Sequence, residues 1–208
     1  MTLTIDVYSD VICPWCYVGK KNLERAIALL PRKVDLKIKY HPFELNPATP
    51  EQGHDRKKYL AQKFGARIEQ AHRHLSQLGS EAGIDFQFDR AEKIPNTLKA
   101  HRLLILADQE GLQEKLAERF FKAYFSEGLD LGNAEVLKRL AAECGLDAKK
   151  TAQWLEGNEG EKEVRLSESQ AQTIGIQGVP HFVIGETHLS GAQPPETLAQ
   201  VILEEAGE

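Results

Sequence analysis

Two cysteines separated by two residues, Cys13-Pro14-Trp15-Cys16, are the side chains of this sequence best suited to chemistry. They fall between a strand-like run and a helix-like run. At such a junction the first sulfur stands at a helix N-terminus, where unpaired N–H groups and the positive dipole end favour a thiolate. A two-residue spacer lets the second sulfur come close enough to form a disulfide without a large backbone shift. Cys13 is therefore expected to attack a disulfide, and Cys16, one turn further in, to resolve the mixed disulfide. Pro14 suits the first helical turn, where its missing N–H costs nothing. Zinc is the competing use of such a pair. It takes four ligands, usually from a second C-x-x-C or a histidine pair, and none stands at that spacing here. The expectation is no metal and no cofactor beyond the cysteine pair itself.

Elements on both sides must position that pair. Leu3, Ile5 and Val7 alternate with Thr2, Thr4 and Asp6, which is the period of a strand. Leu23, Ala26, Ile27 and Leu30 follow at helical spacing until Pro31 stops the run. Val34, Leu36, Ile38 and Tyr40 alternate again, so residues 2–43 read strand–helix–strand. A Pro-rich loop covers residues 44–53. From 55 to about 145 the pattern is helical with hardly a strand. Ile68, Ala71, Leu75, Leu78 and Ala82 mark one helix, Asn96 or Thr97 opens another, Leu112 to Tyr124 carries a third, and Asn133 caps a fourth. The run Asp55-Arg56-Lys57-Lys58 reads as a solvated helix start. Residues 147–157 and 159–174 are further helices. Strand character returns at His181–Ile184 and His188–Ser190, and Pro194-Pro195 opens a last helix. The fold expected is α/β: a thioredoxin-like domain from residues 1–50 and 147–208, interrupted by an all-helical insertion from 51–146.

Composition narrows the function classes. Twenty-six Lys and Arg against 31 Asp and Glu give a net charge of −5, which disfavours tracking a nucleic-acid backbone. No apolar run approaches the roughly 18 residues of a membrane span. Hydrophobic residues at 41% and charged ones at 27% describe an ordinary globular chain. Three cysteines are too few for a disulfide scaffold. The segment Met1–Asp10 has neither a basic n-region nor an apolar h-region, so it reads as a strand and not as a signal peptide. The expected location is cytoplasmic, with no nucleic-acid or membrane partner; monomer and homodimer are both open.

Cys13-Pro14-Trp15-Cys16 after a first strand, a helical insertion, and then Gly178-Val179-Pro180 before a strand together resemble the DsbA-like thioredoxin-fold oxidoreductases. Pro42-Phe43-Glu44-Leu45-Asn46-Pro47, Asn96-Thr97, Ala100-His101-Arg102-Leu103 and Ser190-Gly191-Ala192-Gln193 are similar to the FrnE-type subgroup. The resemblance covers essentially the whole chain. It implies a cis bond at Val179-Pro180 facing the cysteines, with Val179 offering its backbone to an extended substrate as an added strand would. It also implies that Pro14, Trp15, His101 and Gln193 contribute to substrate binding; from the residues alone, a satisfied, half-buried His101 and a plain turn at residues 190–193 stay open. The strongest oxidants of that group carry a histidine between the cysteines. Trp15 cannot support a thiolate by charge, and Asp10, three residues before Cys13, opposes one if close. A weaker oxidant is expected, largely dithiol in a reducing compartment.

The implied substrates are protein or peptide disulfides and thiols, with glutathione a candidate co-substrate. Two rivals stay open: a glutathione-dependent isomerase or transferase of the 2-hydroxychromene-2-carboxylate isomerase or kappa-class type, and a non-catalytic chaperone-like binding module. Cys144 lies on the apolar stripe of its helix and reads as structural. Phe120, Phe121, Tyr124 and Phe125 read mainly as core.

Overall fold

The computed structural model describes residues 2–207. Its first strand, β1 (Leu3–Ser9), buries Ile5 and Val7 on one face. Helix α1 (Pro14–Leu29) follows with Cys13 as N-cap and Pro14 in the first turn. It ends at Leu30, whose extended ψ of 132° is what the following Pro31 demands. Strand β2 (Leu36–Pro42) pairs parallel with β1, from Leu3 opposite Leu36 to Ser9 opposite Pro42. Late in the chain, β5 (His181–Ile184) joins the other side of β1 antiparallel, with Tyr8 opposite His181. β6 (Thr187–Ser190) completes the hairpin, giving the order β2-β1-β5-β6. The last helix, α9 (Pro195–Glu205), starts at its proline and packs on α1. Leu23, Ala26, Leu198 and Ile202 of these two helices close over Ile5, Phe182 and Ile184.

Between β2 and β5 runs a mostly helical segment: α2 (Arg56–Phe64), α3 (Arg67–Glu81), α4 (Leu98–Gln109), α5 (Gln113–Phe125), α6 (Ala134–Cys144), α7 (Ala148–Glu156) and α8 (Glu161–Thr173). Asn133 accepts from the N–H groups of Glu135 and Val136, so the sequence signal for that helix start is met by its side chain. Two departures stand out. Strands β3 (His54–Asp55) and β4 (Lys93–Ile94) pair antiparallel where the sequence shows hardly a strand; two residues are too few to show a period. And Arg56, expected at a solvated helix start, is buried, donating to the Phe88 carbonyl at 2.7 Å over the Phe88 ring.

The core is continuous across sheet and insertion. Phe120, Phe121, Tyr124 and Phe125 are all buried in it. Tyr17, next to Cys16, stacks on Phe121 at 5.0 Å and meets the edge of Phe86, which fixes the first turns of α1 against α5. Gln113 exchanges both amide bonds with Tyr40, at 2.8 and 2.9 Å, satisfying the free edge of β2. Buried Arg102 donates to the carbonyls of Trp154, Gly157 and Glu159, closing the turn between α7 and α8. The second face of the sheet is covered near Tyr8 by Ala171 and Ile176. The architecture is a thioredoxin-like α/β sheet with a helical insertion.

Gly19 lets α1 pack closely against the sheet. A Cβ there would lie 3.1 Å from both the Phe182 ring and Pro180. Gly19→Val is therefore expected to cost about 1–3 kcal/mol through overpacking, read as a lower urea midpoint at an unchanged slope.

Candidate active site at the Cys13–Cys16 turn

Strand pairing alone brings the distant pieces together. With Tyr8 opposite His181, residues 179 and 180 must lie beside the turn that leads from β1 into α1. The Val179-Pro180 bond there is cis. The Cys13 thiol donates to the Val179 carbonyl at 3.6 Å. Gly191 donates to the Pro180 carbonyl at 2.8 Å, holding the same segment from the β6–α9 turn. Cys13 caps α1: its carbonyl accepts from Cys16 at 3.0 Å and Tyr17 at 3.3 Å, while its own N–H donates to the Asp10 carbonyl at 3.0 Å.

The two sulfurs differ in setting. Both residues are buried, Cys13 at 4% and Cys16 at 2% exposure, and both are free thiols. Burial pushes the Cys16 thiol well above its ordinary range. The hydrogen bond and charge of Cys13 add to this, against smaller opposing bonds from the Ser9 hydroxyl and the Asp10 backbone. At neutral pH Cys16 therefore holds its proton, which leaves Cys13, at the helix end, as the sulfur able to attack. Trp15 is 38% exposed and rests against His74 of α3, ring centroids 5.8 Å apart. With Pro14 it forms the open flank of the turn.

His101 and Gln193 each have structural contacts of their own. His101, expected on a groove wall, is only 1% exposed. Helix α4 is buried nearly all round, with Ala100, Arg102, Leu103, Leu104, Leu106 and Ala107 enclosed as well as His101. Its Nε2 instead lies 3.4 Å from Asp10 Oδ1, an ion-pair contact without hydrogen-bond geometry. Gln193 spends its side-chain amide on the Ser190 carbonyl, 2.5 Å away in its own turn, and its carbonyl accepts from Asn22 of α1 at 2.9 Å. It fastens the β6–α9 turn to α1.

The structure also adds groups that spacing did not reveal. Lys20, one turn beyond Cys16, is buried between Glu24 and Glu118. Lys21 reaches the same two carboxylates, and Tyr17 donates to Glu118 at 3.1 Å. Burial works against the Glu118 charge, but Lys20 and Lys21 hold its carboxyl below the usual range. The i, i+4 spacing of Lys20 and Glu24 was the available signal; Glu118 comes from α5 and left none. Among the described residues no group of three or more metal-ligating side chains forms a site, and no helix is long and apolar enough to cross a membrane.

His181, directly after Pro180, is bonded at Nδ1 to the Ser190 hydroxyl (2.9 Å) and at Nε2 to His188 (3.1 Å). Burial, then the neighbouring His188, lower its affinity for a proton; burial and Arg56 do the same to His72. In each case the unfolded chain binds more protons below about pH 6.5, so stability is lost as pH falls through that value. The melting temperature should drop between about pH 7.5 and about pH 5.5, and the drop should shrink in His181→Gln.

A family model, the DSBA-like thioredoxin domain, matches residues 4–203. A probable DsbA oxidoreductase from Streptomyces coelicolor is 32% identical, with a TM-score of 0.91 over 99% of this chain and 91% of that one. The Bacillus subtilis protein YwbO is 29% identical over 99% of this chain and 98% of its own. A 2-hydroxychromene-2-carboxylate isomerase shares the fold at 15% identity, with a TM-score of 0.71 over 91% of this chain and 89% of its own. With nearly its whole length matched, the chain belongs to the DSBA-like thioredoxin domain family.

Proposed function

We propose that the chain is a thiol–disulfide oxidoreductase working through Cys13 and Cys16. The observation that carries this reading is the placement of Cys13: N-cap of α1, its sulfur against the Val179 carbonyl, with a second thiol one turn deeper. The Cys13 thiolate attacks a substrate disulfide, forming a mixed disulfide and releasing one substrate thiolate. Cys16 then loses its proton and attacks the Cys13 sulfur, closing the Cys13–Cys16 disulfide and releasing the second substrate thiol. The sum converts enzyme dithiol and substrate disulfide into enzyme disulfide and two substrate thiols; the reverse oxidises a dithiol. The backbone of Val179 would align an extended substrate, with Pro14, Trp15 and Pro180 lining its approach.

A fold shared with an isomerase does not choose the chemistry; the cysteine pair does. Substrates under this reading are protein or peptide disulfides and thiols. Glutathione is the candidate co-substrate, no metal or further cofactor takes part, and the reducing cytoplasm is the compartment that suits it. The test is catalysis of insulin disulfide reduction by the dithiol protein, run beside an assay for glutathione conjugation to an electrophile. Reduction without conjugation supports the proposal. Conjugation without reduction overturns it in favour of a transferase.

A further inference from the structure

Asp10 is a carboxylate with 0% exposure, built into the turn that carries the cysteines. Its Oδ2 accepts the Leu45 N–H at 2.8 Å and its Oδ1 the Ile12 N–H at 3.4 Å. Its carbonyl takes the Cys13 N–H, and its own backbone bonds to the Cys16 sulfur. A charge so deeply buried is tolerated only when paired.

Glu44, in the loop after β2, also faces His101; its Oε2 is paired with Arg165 of α8 at 2.5 Å, beside Glu168, while its buried Oε1 has no hydrogen-bond partner. Arg102, next to His101 on α4, is turned to three carbonyls. Tyr124 of α5 feels Asp10 and stays a neutral phenol, pushed up to about 12 chiefly by burial. Among the described residues the ion-pair contact of Asp10 is His101, itself 1% exposed with both ring nitrogens free of hydrogen bonds.

We infer that His101 is the counter-ion of Asp10, and that this buried pair, half of it supplied by the helical insertion, decides how readily Cys13 holds a thiolate. The inference rests on the thiol–disulfide reading for its functional meaning. His101 is a positioning residue here: it touches no substrate and acts through Asp10. Replacing His101 should leave Asp10 to oppose the thiolate, and replacing Asp10 should relieve it. The two single substitutions must therefore act in opposite directions and cancel when combined.

The experiment measures alkylation of Cys13 by iodoacetamide, a neutral reagent, across pH in Cys16→Ser backgrounds, and the glutathione redox equilibrium with both cysteines present. His101→Gln should slow alkylation near pH 6 roughly three- to tenfold and shift the equilibrium toward the disulfide. Asp10→Asn should speed alkylation by a similar factor and shift the equilibrium toward the dithiol. The double variant should return to within about twofold of the parent. Shifts in the same direction, or none, overturn the inference, because a merely structural role would slow both. If circular dichroism shows that His101→Gln does not fold, the isosteric Asp10→Asn decides alone: its alkylation profile moves to lower pH, or the inference fails. Alkylation reads the charge pair whether or not the protein exchanges disulfides. A protein that alkylates as described but never reacts with glutathione disulfide would strike the functional reading instead.

Discussion

Cys13→Ser is expected to bring disulfide reduction down to the uncatalysed rate, a loss of more than about a hundredfold. A serine hydroxyl in the same position cannot supply the thiolate that attacks a disulfide sulfur. Stability should hardly change, since the swap is small and the Val179 carbonyl can still receive a hydrogen bond from the new hydroxyl. The measurement pairs insulin turbidity with urea denaturation. Lost activity at an unchanged midpoint assigns the effect to chemistry. Retained activity in this variant would mean that the reacting group lies elsewhere.

Cys16→Ser should behave differently, and the burial of Cys16 is the reason. Cys13 can still attack, but no second thiol stands within the turn to release the substrate. The mixed disulfide should accumulate toward one per protein, visible as a mass increase equal to the substrate thiol, while multiple turnover falls by more than about a hundredfold. The first step should survive within about tenfold. The Cys16 thiol is held well above its ordinary range by burial and by Cys13, so under the proposed mechanism the two steps separate: Cys13 is expected to react first, with Cys16 ionising only to resolve. A Cys16→Ser protein that turned over normally would show that resolution is done by an external thiol.

Much of this arrangement was legible in the sequence, for physical reasons. The alternation in residues 3–7 and 36–40, the Pro14 and Pro195 helix starts, and the Asn133 cap are local signals, and local hydrogen bonding or sterics decide them. What was not legible depends on partners far away in the chain. His101 reads either as a half-buried histidine or as a groove residue; only the packing of α4, which is enclosed nearly all round, places its imidazole against Asp10. Arg56 reads as solvated, but the Phe88 carbonyl and ring come from another part of the insertion. Nothing local marks Lys20 as buried; its partner Glu118 arrives from α5. Strands β3 and β4 exist only because each finds the other. These polar residues share one feature: tertiary contacts, not periodicity, set their charge environment.

The central claim is that Cys13 and Cys16 cycle between dithiol and disulfide. Equilibration in glutathione buffers of graded redox ratio, followed by acid quench and mass analysis, tests it most directly. The account predicts one two-electron transition to a species two hydrogens lighter, with a potential more reducing than the about −120 mV of the strongest oxidants of this fold. Thiols that stay free at every ratio, or that take up glutathione without ever closing on each other, would contradict it.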